Sequence, residues 1–251
     1  MNIKFILPLF FSALLMIANP AHAVLIGAGN GDLYDLDVTT NASTLLGNSG
    51  STMYDIALDP TSSVLYGVAG GISLVSIDKT NGATSSIGAL GAFINGLTFD
   101  SAGTLYGTGG TGLYTIDLVS GSATLIGNTG FTSAGDIAFD SSGNLFLSAN
   151  GTGGGDQLVS LNTTTGAGSL IGNIGVSSVF GLNFSGSTLY GFTESGQTYN
   201  IDTMTGVGTF VANNTITAYG ADGVGGVAVP APSPIALMGL GILCFCFKRK
   251  N

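Results

Sequence analysis

The sequence predicts an all-β fold, and more closely a five-bladed β-propeller of four-stranded blades. A strand–turn–strand pattern recurs as "DIALDPTSSVLYGV", "GLTFDSAGTLYGTG", "DIAFDSSGNLFLSA" and "GLNFSGSTLYGFT". These copies begin at Asp55, Gly96, Asp136 and Gly181, so they are 41, 40 and 45 residues apart. A period of about 40 residues is typical of propeller blades. Residues 24–229 show no long helical periodicity, which agrees with strands throughout.

Each copy divides into four short strands, a to d. In strand a, apolar and small residues alternate, as at Leu97 and Phe99. Strand b reads "TLYGTG" and strand c "LYTID" in the same copy, and a turn of the form Asp/Asn-x-x-x-Gly leads into strand d. Short carboxylates accept backbone N–H bonds in such turns. We therefore assign seven acidic residues to turns: Asp37, Asp78, Asp117 and Asp202 before strand d, with Asn162 in the fourth copy, and Asp59, Asp100 and Asp140 after strand a.

The first copy has no strand a. Its "VLIGAG", "LYDLD" and "STLLGN" match strands b, c and d, and "GVAV" at 226–229 matches a lone strand a near the other end. Pairing these fragments would complete one blade and close the ring, which removes two exposed sheet edges. A β-sandwich is the alternative, but it does not explain a regular repeat with complementary half-units.

The two ends of the chain have the composition of targeting segments. Residues 1–23 combine a basic start, an apolar run and a small-residue close, which predicts a signal peptide cleaved after Ala23. The domains predicted are therefore 1–23, 24–229 for the propeller and 230–251 for a tail. That tail holds the apolar run Ile235–Phe247 and a basic end. A plain C-terminal membrane anchor is one interpretation of it.

Charge and residue types exclude several functions. Residues 24–229 carry fourteen acidic residues against Lys79 alone, a net charge of −13, so nucleic acid and anionic membrane surfaces would be repelled. The single histidine, His22, lies in the signal peptide, and both cysteines, Cys244 and Cys246, lie in the tail. Serine or cysteine nucleophiles activated by histidine, and zinc sites built on histidine or cysteine, are thus excluded from the propeller.

The tail resembles the PEP-CTERM sorting motif of bacterial surface proteins. The order "VPAPSP", apolar stretch and basic end carries the resemblance, with Pro230, Ala231 and Pro232 where the family has Pro-Glu-Pro. It implies processing by an exosortase-like enzyme, transient membrane attachment through the tail, and a final location at the cell surface or in the extracellular matrix. The body resembles NHL-type propeller repeats in its recurring Asp-x-x-Gly-x-hydrophobic stretch, which supports the fold and implies no site.

One face of the predicted disc collects acidic and aromatic residues. Of the seven acids outside the turns, six map to this face: Asp32, Asp156 and Glu194 in strand b–c loops, Asp222 in a connection between blades, and Asp55 and Asp136 at the start of strand a. Each connection also carries one aromatic ring. Rings beside carboxylates suit a sugar-binding surface, because sugar C–H faces pack on rings. The alternative is that the rings wedge between blades as core. The predicted ligand-binding residues are Tyr54, Phe93, Phe131, Phe180, Tyr219, Asp55, Asp136, Asp156 and Glu194.

No cofactor is expected. The segment "NGTGGGDQ" at 150–157 and "GNGDLYD" near residue 30 offer oxygen ligands for Ca²⁺, but neither has the spacing of a calcium loop.

These features favour an exported, non-enzymatic propeller that binds or structures extracellular polysaccharide. One alternative is a glycosidase that pairs Glu194, the only glutamate, with Asp55 or Asp136. The other is a structural surface or adhesion protein with no small ligand.

Overall fold

The protein is represented by a computed structural model that describes residues 23–223. This range consists of strands and turns, and no helix in it has the length and hydrophobicity needed to cross a bilayer. The predicted signal peptide (apart from Ala23) and the sorting tail lie outside the described residues. Ala23 is the first residue of the first strand, so cleavage after it would shorten that strand by one residue.

Twenty strands form five antiparallel four-stranded sheets. The first three strands are β1 (Ala23–Ala28), β2 (Asp32–Asp37) and β3 (Ala42–Asn48). The second blade holds β4 (Met53–Leu58), β5 (Leu65–Ala69), β6 (Ser73–Ile77) and β7 (Thr84–Ala89), and the third holds β8 (Gly96–Phe99), β9 (Leu105–Gly109), β10 (Gly112–Ile116) and β11 (Ala123–Asn128). The fourth holds β12 (Ser133–Phe139), β13 (Leu145–Ala149), β14 (Gln157–Leu161) and β15 (Gly168–Asn173), and the fifth holds β16 (Val179–Ser185), β17 (Thr188–Thr193), β18 (Gln197–Ile201) and β19 (Gly208–Asn213). The last strand is β20 (Ala218–Asp222).

The first blade is closed by β20, which pairs with β1 in the sheet order β20-β1-β2-β3. The ring closure predicted from the half-units is therefore confirmed, but the strand that closes it is not 226–229. The register pairs Leu25 with Asp222 and Ile26 with Ala221, and 226–229 lies outside the described residues. The sequence "AYGAD" of β20 has small residues where other blades have Leu, Ile or Phe, so its apolar alternation is weak.

Apolar side chains fill the spaces between neighbouring blades. Leu36 and Ile26 of the first blade pack in one buried cluster with Phe192 of the fifth. On the other side of the first blade, Leu33 joins a cluster with Met53 and Ile56 of the second. Each blade therefore buries both of its faces against its neighbours, which is why the strand burial patterns are nearly continuous rather than strictly alternating.

The predicted turns before strand d are confirmed at the level of single hydrogen bonds. In the second blade, Asp78 Oδ1 accepts from the Thr80 N–H, and the Gly82 N–H donates to the Asp78 carbonyl, at 2.8 Å each. The glycine that ends these turns has φ between 77° and 79° at Gly82, Gly121, Gly166 and Gly206, a left-handed conformation that glycine adopts without strain. The first blade places Asn41 there, with φ of 59°.

Neighbouring blades touch backbone to backbone at four junctions. A Cβ added to Gly88 in β7 would lie 1.9 Å from the Ser120 carbonyl oxygen, next to the turn glycine Gly121 of the following blade. The same contact recurs at three further junctions, through Gly47 with Gly82, Gly127 with Gly166, and Gly172 with Gly206. The junction between the fifth and first blades differs, because it has Ala212 and Asn41 at these places and Asn41 Nδ2 donates to the Asn213 carbonyl at 2.6 Å.

The Gly88→Ala variant tests this junction. Its methyl group has no room against the Ser120 carbonyl, so we expect a loss of about 1–3 kcal/mol in the free energy of unfolding, as for other overpacked sites. Urea denaturation followed by circular dichroism measures it. The control is Ala212→Gly at the fifth junction, which should change stability by less than about 1 kcal/mol. Equal denaturation midpoints for Gly88→Ala and the wild type would contradict the junction model.

Candidate functional site

Four of the five predicted aromatic residues form one continuous array where the inner strands begin. The Phe93 and Tyr54 ring centroids are 5.3 Å apart, those of Tyr54 and Tyr219 are 6.3 Å apart, and those of Tyr219 and Phe180 are 5.5 Å apart, all edge to face. Such contacts fix the rings relative to one another. We call Tyr54, Phe93, Phe180 and Tyr219 the aromatic mouth.

The rings of the aromatic mouth differ in exposure. Phe93 is 49% exposed, whereas Tyr54, Phe180 and Tyr219 are half-buried. The Phe93 ring lies over Gly71 and the Tyr219 ring over Gly29, where an added Cβ would be only 2.4 and 2.5 Å away. Phe93 thus covers a loop glycine of the preceding blade, and Tyr219 covers one of its own blade.

Phe131 lies outside this array. It is half-buried and packs against the apolar cluster that contains Leu113 and Leu147. At this position the alternative interpretation, an aromatic wedge in the core between blades, describes the structure better than a ligand contact.

The predicted acidic residues occupy three different environments. Glu194 is exposed beside the aromatic mouth, and its Oε1 accepts from the Tyr219 hydroxyl at 3.3 Å. Asp156 is 4% exposed, and its Oδ2 accepts from the Val179 N–H at 2.7 Å, which holds the connection between the fourth and fifth blades. Asp55 and Asp136 have no exposed surface at all. Asp55, Asp136 and Asp156 are therefore not available to a ligand outside the ring.

Asp55 and Asp136 meet in the central channel and link the inner strands. Asp55 Oδ2 accepts from the Leu97 N–H of β8, and Asp136 Oδ2 accepts from the N–H groups of Leu182 in β16 (2.6 Å) and Ala221 in β20 (3.3 Å). The two carboxyl groups also share a hydrogen bond. Inner strands have one side without a strand partner, so these carboxylates satisfy amides that would otherwise be buried and unpaired.

Glycine makes room for this carboxyl pair. The positions equivalent to Asp55 and Asp136 in the other inner strands are Gly96, Gly181 and Gly220. A Cβ at Gly220 would lie 2.0 Å from Asp55 Oδ1, and one at Gly181 would lie 2.9 Å from the Ala221 Cβ. The channel therefore accommodates two carboxyl groups and three glycines at this level.

Burial raises the pKa of all three carboxyl groups along the channel. Loss of hydration raises the pKa of Asp136 to about 8 and that of Asp222 to about 7. Loss of hydration, and then repulsion from Asp136, raises the pKa of Asp55 well above its usual range. The Asp55–Asp136 pair thus holds at least one proton at neutral pH.

Asp222 lies at the opposite end of the channel from its predicted place. Sequence reasoning put it in a connection on the aromatic face, but it ends β20, and its Oδ2 accepts from the Leu58 N–H at 2.7 Å. Thr98 and Asn183 occupy the same position on their own inner strands and are also buried. Sequence reasoning missed both, although aligning the inner strands places polar residues at this one position.

The segments considered for calcium are used by the fold. Asp32 accepts from Asn30, Tyr34 and Asn48 side chains, at 2.8, 3.2 and 2.6 Å. Among residues 23–223 no group of three His, Cys, Asp or Glu side chains is arranged to hold a metal ion.

Comparison with known proteins supports the architecture and the sorting tail. Residues 228–250 match the PEP-CTERM protein-sorting motif, the signal for exosortase processing, which implies an exported protein. The crystal structure of a nidogen/laminin complex contains a chain with 13% identity and a TM-score of 0.58, over 80% of this chain and 97% of that one. A protein of unknown function from Bacteroides thetaiotaomicron has 14% identity and a TM-score of 0.56, over 82% of this chain and 62% of that one. The propeller fold that the resemblance to NHL-type repeats implies is therefore confirmed. A sequence comparison with curated proteins gave no match.

The buried carboxyl pair predicts an unusual dependence of stability on pH. A carboxyl group with a raised pKa binds more protons in the folded than in the unfolded state between its unfolded pKa of about 4 and its folded value. The stabilisation is therefore complete below about pH 4 and is lost as the pH rises through 7 to 8. We expect the melting temperature of the wild type to fall from pH 5 to pH 8.5.

The Asp136→Asn variant is the matched comparison, because Asn keeps an oxygen for the Leu182 and Ala221 N–H groups but does not titrate. Its melting temperature should fall less over the same range, as measured by scanning fluorimetry. A wild-type melting temperature that rises or stays level from pH 5 to 8.5 would rule out a protonated pair.

Proposed function

We propose that this exported, sorted protein is a non-enzymatic propeller that binds uncharged extracellular polysaccharide across the aromatic mouth. The observation that carries the proposal is the continuous edge-to-face array of Phe93, Tyr54, Tyr219 and Phe180, with Phe93 half exposed at its end. Rings held in fixed positions present apolar area at a low cost in side-chain entropy, which favours binding.

Polar groups next to the rings support a hydroxyl-rich ligand. The Glu194 carboxylate is exposed and lies within 3.3 Å of the Tyr219 hydroxyl, so both groups can face a ligand from one side. A carboxylate accepts hydrogen bonds from sugar hydroxyls, while Tyr219 both donates and accepts. The combination of ring faces and hydroxyl-binding groups matches a sugar better than a purely apolar partner.

Charge narrows the class of polymer. The only Lys or Arg in residues 23–223 is Lys79, and its ammonium group donates to the Ser63 carbonyl at 2.8 Å, in a turn after an inner strand. Residues 24–229 hold fourteen acidic residues against one lysine, so the propeller remains strongly negative even with the buried pair protonated, and it repels polyanions. The proposed ligand is therefore a neutral polysaccharide.

The geometry gives less support to the glycosidase alternative. Its two carboxyl groups must both reach the substrate, but Asp55 and Asp136 are fully buried and accept backbone N–H bonds. Glu194 is left without a second exposed carboxylate from the predicted set.

The Phe93→Ala variant tests the aromatic mouth. Removing the exposed ring should weaken binding of the full-length protein to neutral exopolysaccharide at least tenfold, measured by affinity electrophoresis in detergent with embedded polymer. Phe210→Ala is the matched control, since Phe210 is 50% exposed and also has one edge-to-face partner, Tyr199 at 5.7 Å, but lies on the outer strand β19. It should bind as the wild type does.

Three outcomes would count against the proposal. Equal losses in both variants would indicate nonspecific hydrophobic adsorption, and no binding by the wild type would favour a structural protein without a ligand. Release of reducing sugar that stops in Glu194→Gln would favour the glycosidase.

A further inference from the structure

A cavity of about 470 Å³ opens at the end of the ring where the inner strands end, opposite the aromatic mouth. Four blades line it with the residue at one equivalent position, namely Leu58, Phe99, Phe139 and Phe184. Its volume lies within the range of about 300–1,000 Å³ that is usual for small-molecule sites. We call this cavity the funnel.

The floor of the funnel is polar. Thr98, Asn183 and Asp222 line it from the same position on β8, β16 and β20, where the other two inner strands have Ala57 and Ala138. Asp222 uses both oxygens, since Oδ2 accepts from Leu58 N–H and Oδ1 from Gly223 N–H, at 2.7 Å each.

Thr98 and Asn183 are buried polar side chains with unused hydrogen-bonding capacity. Thr98 is 6% exposed and Asn183 is 5% exposed, and neither side chain makes a hydrogen bond within residues 23–223. Other buried polar side chains of the ring are bonded, as Asn214 Nδ2 is to Thr198 Oγ1 at 2.9 Å. Their polar atoms are not sealed from solvent, since Asn95 Oδ1 is the one buried side-chain polar atom of the described residues without a partner, so water or a ligand in the cavity must satisfy them. Because both line the cavity, a molecule in the funnel is in the right place to do so.

We propose that the funnel is a binding site for one small, uncharged, hydroxyl-rich molecule, of the size and chemistry of a single sugar ring. The Asn183 amide can donate and accept, and the Thr98 hydroxyl can do both, which suits neighbouring hydroxyl groups. Leu58, Phe99 and Phe184 reach the cavity only at their edges, and the half-buried Phe139 offers the main apolar contact for C–H groups.

An uncharged ligand fits the electrostatics of the funnel. Asp100 and Asp140 at its edge accept backbone N–H bonds within their own turns. The only basic side chain of the described residues, Lys79, is bonded to Ser63 and does not line the funnel. An anion would therefore face carboxylates without a compensating cation. This site does not depend on the aromatic mouth, which lies at the other end of the channel.

The experiment uses the full-length protein in mild detergent with three probes: methyl α-glucoside, methyl α-galactoside and N-acetylglucosamine. Saturation-transfer NMR detects binding, and titration gives the affinity. We expect the wild type to bind at least one probe, and Thr98→Val and Asn183→Leu each to weaken that binding at least tenfold. Their melting temperatures should stay close to that of the wild type, because neither side chain makes a hydrogen bond within residues 23–223 that the substitution would break.

Asn95→Leu is the matched control. Asn95 immediately precedes the inner strand β8 at the end near the aromatic mouth, and its Oδ1 is the one buried side-chain polar atom of the described residues that has no hydrogen-bond partner. It should leave probe affinity unchanged, as should Phe93→Ala, which separates this site from the proposed polysaccharide surface.

Four results would overturn the proposal. No probe binds the wild type, or Thr98→Val and Asn183→Leu retain full affinity. Alternatively, Asn95→Leu or Phe93→Ala abolishes binding while the funnel variants do not, which would place the probe at the aromatic mouth. A melting temperature several degrees lower in the funnel variants would show that the two side chains support the fold instead.

Discussion

The ring depends on how its innermost amides are satisfied. Five inner strands surround a channel, and the side of each that faces its neighbours has no antiparallel partner. Carboxylates supply the missing acceptors, with Asp222 joining β20 to β4, Asp55 joining β4 to β8, and Asp136 joining β12 to β16 and β20. Burying a carboxyl group is costly unless it is protonated or hydrogen-bonded, and here both conditions apply. The glycines at Gly96, Gly181 and Gly220 follow from the same constraint.

This arrangement leaves the two ends of the channel chemically different. The carboxyl pair closes the middle, so the aromatic mouth and the funnel are separate surfaces. Rings and an exposed carboxylate occur at the first, and a polar floor beneath apolar walls occurs at the second. Both lack a basic side chain within the described residues, which is why the ligands proposed for them are uncharged. Because the residues at equivalent positions differ between blades, neither surface repeats fivefold.

Local patterns predicted local structure well, and long-range geometry explains the errors. The turns at Asp78 and Asp117 could be predicted because an Asp and a glycine four residues later determine them. The closing strand was misplaced because Gly220 and Ala221 give little apolar signal. Burial of Asp55 and Asp136 could not be inferred, since it requires knowing that they face each other across the ring. That Phe131 lies outside the aromatic mouth could have been predicted from the sequence. Gly135 is the residue that aligns with Tyr54, and Phe131 lies four residues before it.

The closing strand is also the attachment point of the sorting tail. β20 is an innermost strand that ends shortly before the sorting motif in the sequence, whereas β1, its partner, follows the predicted signal peptide. A protein held by its C-terminal end while its surface grips a polymer would therefore transmit mechanical load through β20. Such a pull acts on the ladder from its Asp222 end, so the β20–β1 bonds would separate one after another rather than all at once. Under tension the ring would open at its inner strands before any outer strand separates.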